Sequence, residues 1–256
     1  MTTTIQPVGT ATRWWVLAYG ILCYTAFLAS FGYAVAFVLG IGVPRTVDHG
    51  IAAPSAPAAV VIDLALLAAF AAQHSIMARP AFKRWWTRIV PPPIERSTFV
   101  LAASAVLGLL CWQWRTVDGI VWDIDQPIAR AAVWTVAAAG WLTVLATTFM
   151  INHFELFGLR QVFARWRGRR IAETGFRTPL LYRVVRHPMM LGFLLAFWAA
   201  PTMTAGHLLF ASVTTVYILA AIRLEERDLS TSLGEPYRRY RREVPMVVPN
   251  GRCRRQ

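Results

Sequence analysis

The sequence predicts an all-α fold: a polytopic bundle of 5–6 transmembrane helices that ends in a C-terminal helical hairpin. Three observations predict it. Only 15% of the 256 residues are charged, against about 25% in soluble domains. Trp14–Val43 and Ala131–Met150 contain no charged residue, and each exceeds the ~18 apolar residues expected of a membrane span. From Pro188 to Ile222 there are 35 residues without Asp, Glu, Lys or Arg. As one helix they would extend about 52 Å at ~1.5 Å per residue, well beyond the ~30 Å hydrocarbon core. That run has to fold back, and Pro201-Thr202-Met203-Thr204-Ala205-Gly206 supplies the turn.

The elements follow in order. Residues 1–12 form a short polar start. The first span runs from about Trp14 to Leu39; it is too long for a signal-peptide core and lacks a small-residue cleavage site, so a cleaved leader is not expected. A loop with Pro44, Pro54 and Pro57 leads to a second span, Ala58–Met77. Arg79, Lys83, Arg84 and Arg88 follow, then the breaker Pro91-Pro92-Pro93. The third span covers Ser97–Trp114 and the fourth Ala131–Asn152, separated by a loop with Asp118, Asp123 and Asp125. Between residues 155 and 186 apolar and basic residues interleave, the pattern of an interfacial amphipathic helix. The hairpin then closes the bundle, its first arm short, so five or six spans are counted according to whether that arm crosses.

Charge sets the orientation. The net formal charge of +13 is crowded into a few loops and the tail, as the positive-inside rule requires. The partner this implies is the lipid bilayer with its anionic surface, not nucleic acid. The basic loops after spans two and four face the cytoplasm, and the hairpin begins and ends on that side. The expected location is a bacterial inner (cytoplasmic) membrane, with the site facing the cytoplasm. Cys23, Cys111 and Cys253 have no metal-ligand spacing, and the first two fall in apolar runs as packing residues. No metal site is expected, and the sequence leaves the oligomeric state open.

This topology sorts the ionisable residues. His49 and His207 fall at the outer end. His74 ends span two, His153 ends span four and His187 opens the hairpin, all at the cytoplasmic end with Glu225 and Glu226. Ionisable groups at membrane depth are costly, and their default meaning is functional. Proline keeps its predecessor out of the α conformation and suits the first helical position, so a helix starts at Pro188 with His187 just outside. Its free N–H groups suit an anion such as a carboxylate. Gly192, one turn on, allows close approach of a ligand or of another helix. Glu225 and Glu226 diverge by roughly 100° on a helix, so one can face a pocket and the other solvent. Tyr237, Tyr240 and Arg241 follow at near-helical spacing, and tyrosine rings can stack on a base or lie over a cation. Asp63, about 16 Å along the helix from His74, is too remote to form a dyad with it.

Arg186-His187-Pro188-x-x-x-Gly192, the apolar hairpin, Glu225-Glu226-x-x-Leu229 and Gly234-x-x-Tyr237-x-x-Tyr240 resemble the isoprenylcysteine carboxyl methyltransferase superfamily. The whole chain is similar to its methanethiol S-methyltransferase branch and to NnrU-like relatives, through Gln73-His74-Ser75-Ile76-Met77-Ala78-Arg79 and Asn152-His153-Phe154-Glu155-Leu156-Phe157-Gly158-Leu159-Arg160-Gln161. The resemblance implies one integral membrane domain in three parts: N-terminal helices (1–154) on the acceptor side, a basic connector (155–186), and a cofactor-binding hairpin and tail (187–249). It implies S-adenosylmethionine as cofactor, in a cytoplasmic pocket lined by Arg186, His187, Pro188, Met190, Gly192, Glu225, Glu226, Tyr237, Tyr240 and Arg241. The broader family usually has tyrosine at Met190, a departure that argues against a lipid carboxylate as acceptor.

The implied reaction is methyl transfer to a small thiol, methanethiol giving dimethyl sulfide. The thiolate is the competent nucleophile. His74 and His153 are the candidate bases, since histidine titrates near neutrality. Glu155 is a candidate to orient His153, although residues two apart on a helix do not face each other. Arg160 and Arg183 are alternatives for stabilising negative charge. The competing expectations are an isoprenylcysteine-type lipid carboxyl methyltransferase, a non-catalytic NnrU-like protein, and a haem protein with His74 and His153 as axial ligands.

Overall fold

Helix α1 (Thr10–Leu39) opens the bundle, followed by α2 (Ala56–Ala78), a short α3 (Pro80–Trp86) and α4 (Pro92–Gln113). Strand β1 (Ile120–Asp123) precedes α5 (Pro127–Ile151), a single turn α6 (His153–Leu156) and α7 (Leu159–Trp166). A 3-10 turn at Leu180–Arg183 leads into α8 (Pro188–Trp198), β2 (Thr202–Thr204), the long α9 (Ala205–Ser232) and α10 (Glu235–Glu243). This computed structural model describes residues 10–169 and 178–249. Most of the polar start, part of the basic connector including Arg170, and Cys253 lie outside them.

Five helices are long and apolar enough to cross a membrane: α1, α2, α4, α5 and α9. Helix α8 has 11 residues, about 16 Å at ~1.5 Å per residue, so it reaches roughly halfway through a bilayer core. The protein is a helical membrane bundle, and the short first arm of the hairpin is confirmed. Helix α8 can be short because α5 supports it closely. A Cβ at Gly192 would lie 2.8 Å from the Gly140 carbonyl oxygen and 2.9 Å from Val144 Cγ2. Two glycines therefore let the backbones touch, as small residues do between membrane helices.

Three elements depart from the sequence expectation. Helix α4 begins at Pro92, five residues before the expected Ser97, because proline in a first turn forfeits only N–H groups that have no helical partner. That extension carries Arg96 into the bundle. The segment after α2 is a helix, α3, whose Phe82, Trp85 and Trp86 rings pack on one another at 5.3–5.8 Å. The hairpin turn is also more than a turn. Its β2 pairs antiparallel with β1, with Asp123 opposite Thr202 and Ile120 opposite Thr204, and Thr202 Oγ1 donates to Asp123 Oδ1 at 2.6 Å.

The core lies toward this strand-capped end. Trp114, fully buried, meets Phe37 and Phe210 edge to face at 5.9 and 5.8 Å and donates its indole N–H to Val47 O at 3.0 Å. Cys23 and Cys111 are buried free thiols, as expected. Asp63 is fully buried and accepts the Arg115 backbone N–H at 2.8 Å, which ties α2 to the end of α4 and keeps it away from His74.

Candidate cofactor and acceptor site

The head of α8, the last third of α9 and α10 converge on one ionic cluster. The C-terminal segment after α10 returns alongside residues 186 and 187: Arg186 N–H bonds Pro245 O at 2.8 Å and His187 N–H bonds Met246 O at 3.1 Å. This places Arg186 and His187 against α9. Arg186 Nε donates to Glu226 Oε1 at 2.7 Å, and Nη1 reaches Arg241 O at 2.8 Å and Val244 O. His187 Nε2 lies 3.1 Å from the same Glu226 oxygen, and Arg241 Nε lies 3.1 Å from Glu226 Oε2. Glu226 is thus a buried carboxylate, 4% exposed, held by three nitrogen groups from two segments. Neutralisation by charged hydrogen bonds is what makes such burial tolerable.

Glu225 points elsewhere. Its side chain is 52% exposed and its Oε2 stands 3.8 Å from His187 Nδ1. One carboxylate is therefore structural and the other presented, the divergence that adjacent helical positions require. Tyr237 is 2% exposed, and its ring lies 5.9 Å from that of Tyr240. Burial, with Glu226 adding to it, pushes the Tyr237 phenol up to about 12. Tyr240 Oη donates to Tyr182 O at 2.6 Å, and burial raises its pKa as well. Tyr182, on the 3-10 turn, was not singled out by the sequence. Its ring hydroxyl is raised by burial and by the nearby Glu225 charge, which puts it at the presented carboxylate. Its position four residues before Arg186 was the available signal.

Pro188 is fully buried at the first position of α8, with His187 as cap. The first intrahelical bond of α8 is Leu191 N–H to His187 O, so the Met189 and Met190 N–H groups are helix-start donors without a helical acceptor. Met190 is partly buried against the apolar core. Gly192 faces Gly140 on α5, so of its two expected roles the structure shows helix contact. Arg183 is exposed and donates to Thr178 O at 3.3 Å.

A second polar group sits in a different environment. His153 is 6% exposed and stacks on Phe149 at 4.4 Å, with Phe157 and Phe154 completing an aromatic enclosure. Its Nδ1 lies 2.8 Å from Thr148 Oγ1, and its Nε2 lies 2.7 Å from Tyr24 Oη. Thr148 donates its own proton to Leu145 O at 2.7 Å. Nδ1–H therefore donates to Thr148 and Nε2 accepts from Tyr24, which fixes the tautomer. Burial lowers the His153 pKa below its usual value. Neither nitrogen keeps a free lone pair, which argues against axial ligation of iron. Tyr24 is the half-buried end of this pair and escaped the sequence analysis, since a tyrosine inside an apolar span carries no pattern of its own.

Glu155 does not orient His153. Its carboxylate pairs with Arg160 and accepts from Asn152 Nδ2 at 3.0 Å, because two helical positions apart it points to another side. Asn152, at φ 129°, makes the break between α5 and α6 that lets His153 turn inward. His74 lies between the Phe70 ring (5.5 Å) and the Phe99 ring (5.2 Å), its Nδ1 buried without a hydrogen bond. Among the described residues no group of three or more His, Cys, Asp or Glu is arranged to hold a metal ion.

The family model described as "NnrU protein" matches residues 64–246. The chain is 61% identical to "Methanethiol S-methyltransferase" of Mycobacterium tuberculosis, over 93% of this chain and 97% of that protein. It is 53% identical to "Methanethiol S-methyltransferase 1" of Bradyrhizobium diazoefficiens, over 90% and 81%. It is 29% identical to "Nurim" of Mus musculus, over 80% and 86%. No solved structure matches. The family match covers well over half of the chain, so this chain belongs to the NnrU protein family.

Proposed function

We propose that the protein transfers a methyl group from S-adenosylmethionine to methanethiol, releasing dimethyl sulfide. Relatives at 46–61% identity over nine-tenths or more of this chain bear the name methanethiol S-methyltransferase. The observation that carries the reading is the cluster at the head of α8, where a buried, triply held Glu226 stands beside the presented Glu225. The donor set fits the cofactor. The Met189 and Met190 N–H groups and His187 suit a carboxylate, Glu225 suits a ribose diol, and the Tyr237 and Tyr240 rings suit a base or a sulfonium. When bound, S-adenosylmethionine supplies an electrophilic methyl carbon whose bond to sulfur breaks as the thiolate's bond to it forms.

The remaining contributions belong to the chain. Glu226 fixes Arg186, His187 and Arg241 in one geometry, so their positions are set before binding. Residues 187–249 form the cofactor half and residues 1–154 the acceptor half, joined by the basic connector. His74 and the Tyr24–His153 pair are the candidates for taking the thiol proton. With both His153 nitrogens engaged, Tyr24 is the group through which His153 would act. Arg183 is exposed and is not among the groups that hold the Glu226 cluster. The basic loops support a location of this end of the bundle at the cytoplasmic face of an inner membrane.

The test is product analysis. Detergent-purified protein given S-adenosylmethionine and methanethiol is expected to release dimethyl sulfide, read by gas chromatography. Methylation confined to long-chain or carboxylate acceptors would overturn the substrate assignment. His187→Ala is expected to lose cofactor binding by calorimetry, whereas His74→Ala keeps binding and slows transfer.

A further inference from the structure

The extension that starts α4 at Pro92 brings Arg96 to the wall of a cavity of about 320 Å³. That volume falls within the ~300–1,000 Å³ of small-molecule sites. Arg96 is partly buried, its guanidinium carbon 5.1 Å from the centre of the Phe99 ring. Its Nε donates to Leu156 O at 2.7 Å. Among the described residues neither Nη has a hydrogen-bond acceptor, and no carboxylate comes within ion-pair distance. A guanidinium stays charged and carries five N–H donors in a fixed fork. With most of that fork unused away from bulk water, it calls for acceptors from outside the chain.

The other groups in the wall leave the balance of charge positive. Lys83, from α3, has no ion pair among the described residues. Glu155 is already engaged, paired with Arg160 and accepting from Asn152 Nδ2 at 3.0 Å. Of the described residues in this wall, Glu95 is then the carboxylate left to set against two cations. Depth supplies a second constraint. Pro92 opens one membrane-length helix, α4, and Ile151 closes another, α5, and both line the cavity. It therefore lies where hydrocarbon gives way to headgroups. On the same elements Trp85, Ile151 and Phe154 are exposed, the mixture of apolar surface and positive charge that suits a membrane interface.

We infer that this cavity is a binding site for the phosphodiester of an anionic phospholipid headgroup. The Arg96 fork would hold the phosphate oxygens, as guanidinium groups do in bidentate contacts. Lys83 would add its charge, and the acyl chains would follow the exposed apolar residues into the bilayer. Basic pockets between membrane helices suit such headgroups. The surplus of one positive charge matches the single negative charge of a phosphodiester, whereas a free phosphate dianion would meet Glu95 less favourably. The site uses none of the side chains proposed to bind S-adenosylmethionine or to take the thiol proton.

Purified full-length protein in detergent is titrated by calorimetry with dihexanoyl phosphatidylglycerol, with dihexanoyl phosphatidylcholine and with inorganic phosphate. Phosphatidylglycerol is expected to bind saturably, at least about tenfold more tightly than either of the others. Arg96→Gln is expected to weaken that binding about tenfold, and Lys83→Gln about fivefold. The inference fails if folded wild-type protein shows no saturable phosphatidylglycerol binding, if phosphatidylcholine binds as well, or if Arg96→Gln keeps full affinity. Inorganic phosphate binding as tightly as the lipid would overturn it too, by making free phosphate the ligand. Should Arg96→Gln not fold, Lys83→Gln on the outer helix α3 decides the question: undiminished affinity there sinks the assignment.

Discussion

The Glu226 cluster and the His153 enclosure both hold buried polar side chains, yet they solve the problem of burial in opposite ways. Around Glu226 the solution is ionic: Arg186, His187 and Arg241 surround one carboxylate. Around His153 it is neutral: two hydroxyls satisfy the ring nitrogens and aromatic faces fill the rest. The first environment preserves charge for recognising a charged ligand. The second suppresses it and leaves a ring that exchanges protons only through Tyr24. The methyl transfer proposed above would use both, fixed charge toward the donor and adjustable protonation toward the acceptor.

The contrast breaks first at Glu226. Glu226→Ala leaves Arg186 buried without its carboxylate, and removing one partner of a buried pair costs about 3–5 kcal/mol. Thermal unfolding in detergent is expected to show a large destabilisation, with cofactor binding lost in calorimetry. Glu226→Gln, which keeps shape but not charge, separates packing from charge: retained binding would show that the ionic solution is dispensable. Next comes the support beneath the cluster. Gly192→Ala puts a methyl group 2.8 Å from the Gly140 carbonyl oxygen, and overpacking of that kind costs about 1–3 kcal/mol. If unfolding temperature and cofactor affinity both stay unchanged, the α5–α8 contact does not position the site.

On the neutral side, Tyr24→Phe strips the donor from His153 Nε2, and an orphaned buried acceptor costs about 1–3 kcal/mol. Cofactor affinity is expected to hold while transfer slows. Loss of affinity instead would mean that the two environments are not separable. The smallest expected effect is in pH dependence. His153 has a folded pKa below its ordinary 6.5, so the unfolded chain binds its proton more readily. Stability from this group is present above that ordinary value and is lost as pH falls through the folded pKa. Unfolding temperature measured against pH is expected to fall less steeply on the acid side in His153→Gln than in the wild type. Identical slopes would sink this assignment.

Much of this was legible in the sequence because it depends on composition and on residues close together in the chain. The uncharged runs gave the spans, and the 35-residue run at Pro188–Ile222 demanded a hairpin on length alone. His187-Pro188 marked a helix start, and α8 begins there. The divergence of Glu225 and Glu226 followed from helical geometry. Sequence could not show that Glu226 is the inward one, because that depends on Arg186 and Arg241, 40 residues before it and 15 after it in the chain. Nor could it show that Gly192 serves Gly140 on α5, that Tyr24 holds His153, or that Thr148 and not Glu155 sets the ring.

The sequence by itself determined a membrane bundle and its hairpin, since hydrophobic length and charge act through the solvent and need no partner. Only the tertiary structure decided which carboxylate is structural and which nitrogen of His153 is basic. Those are pairwise matters of hydrogen-bond distance, and they exist only once helices distant in sequence are brought within about 3 Å of one another.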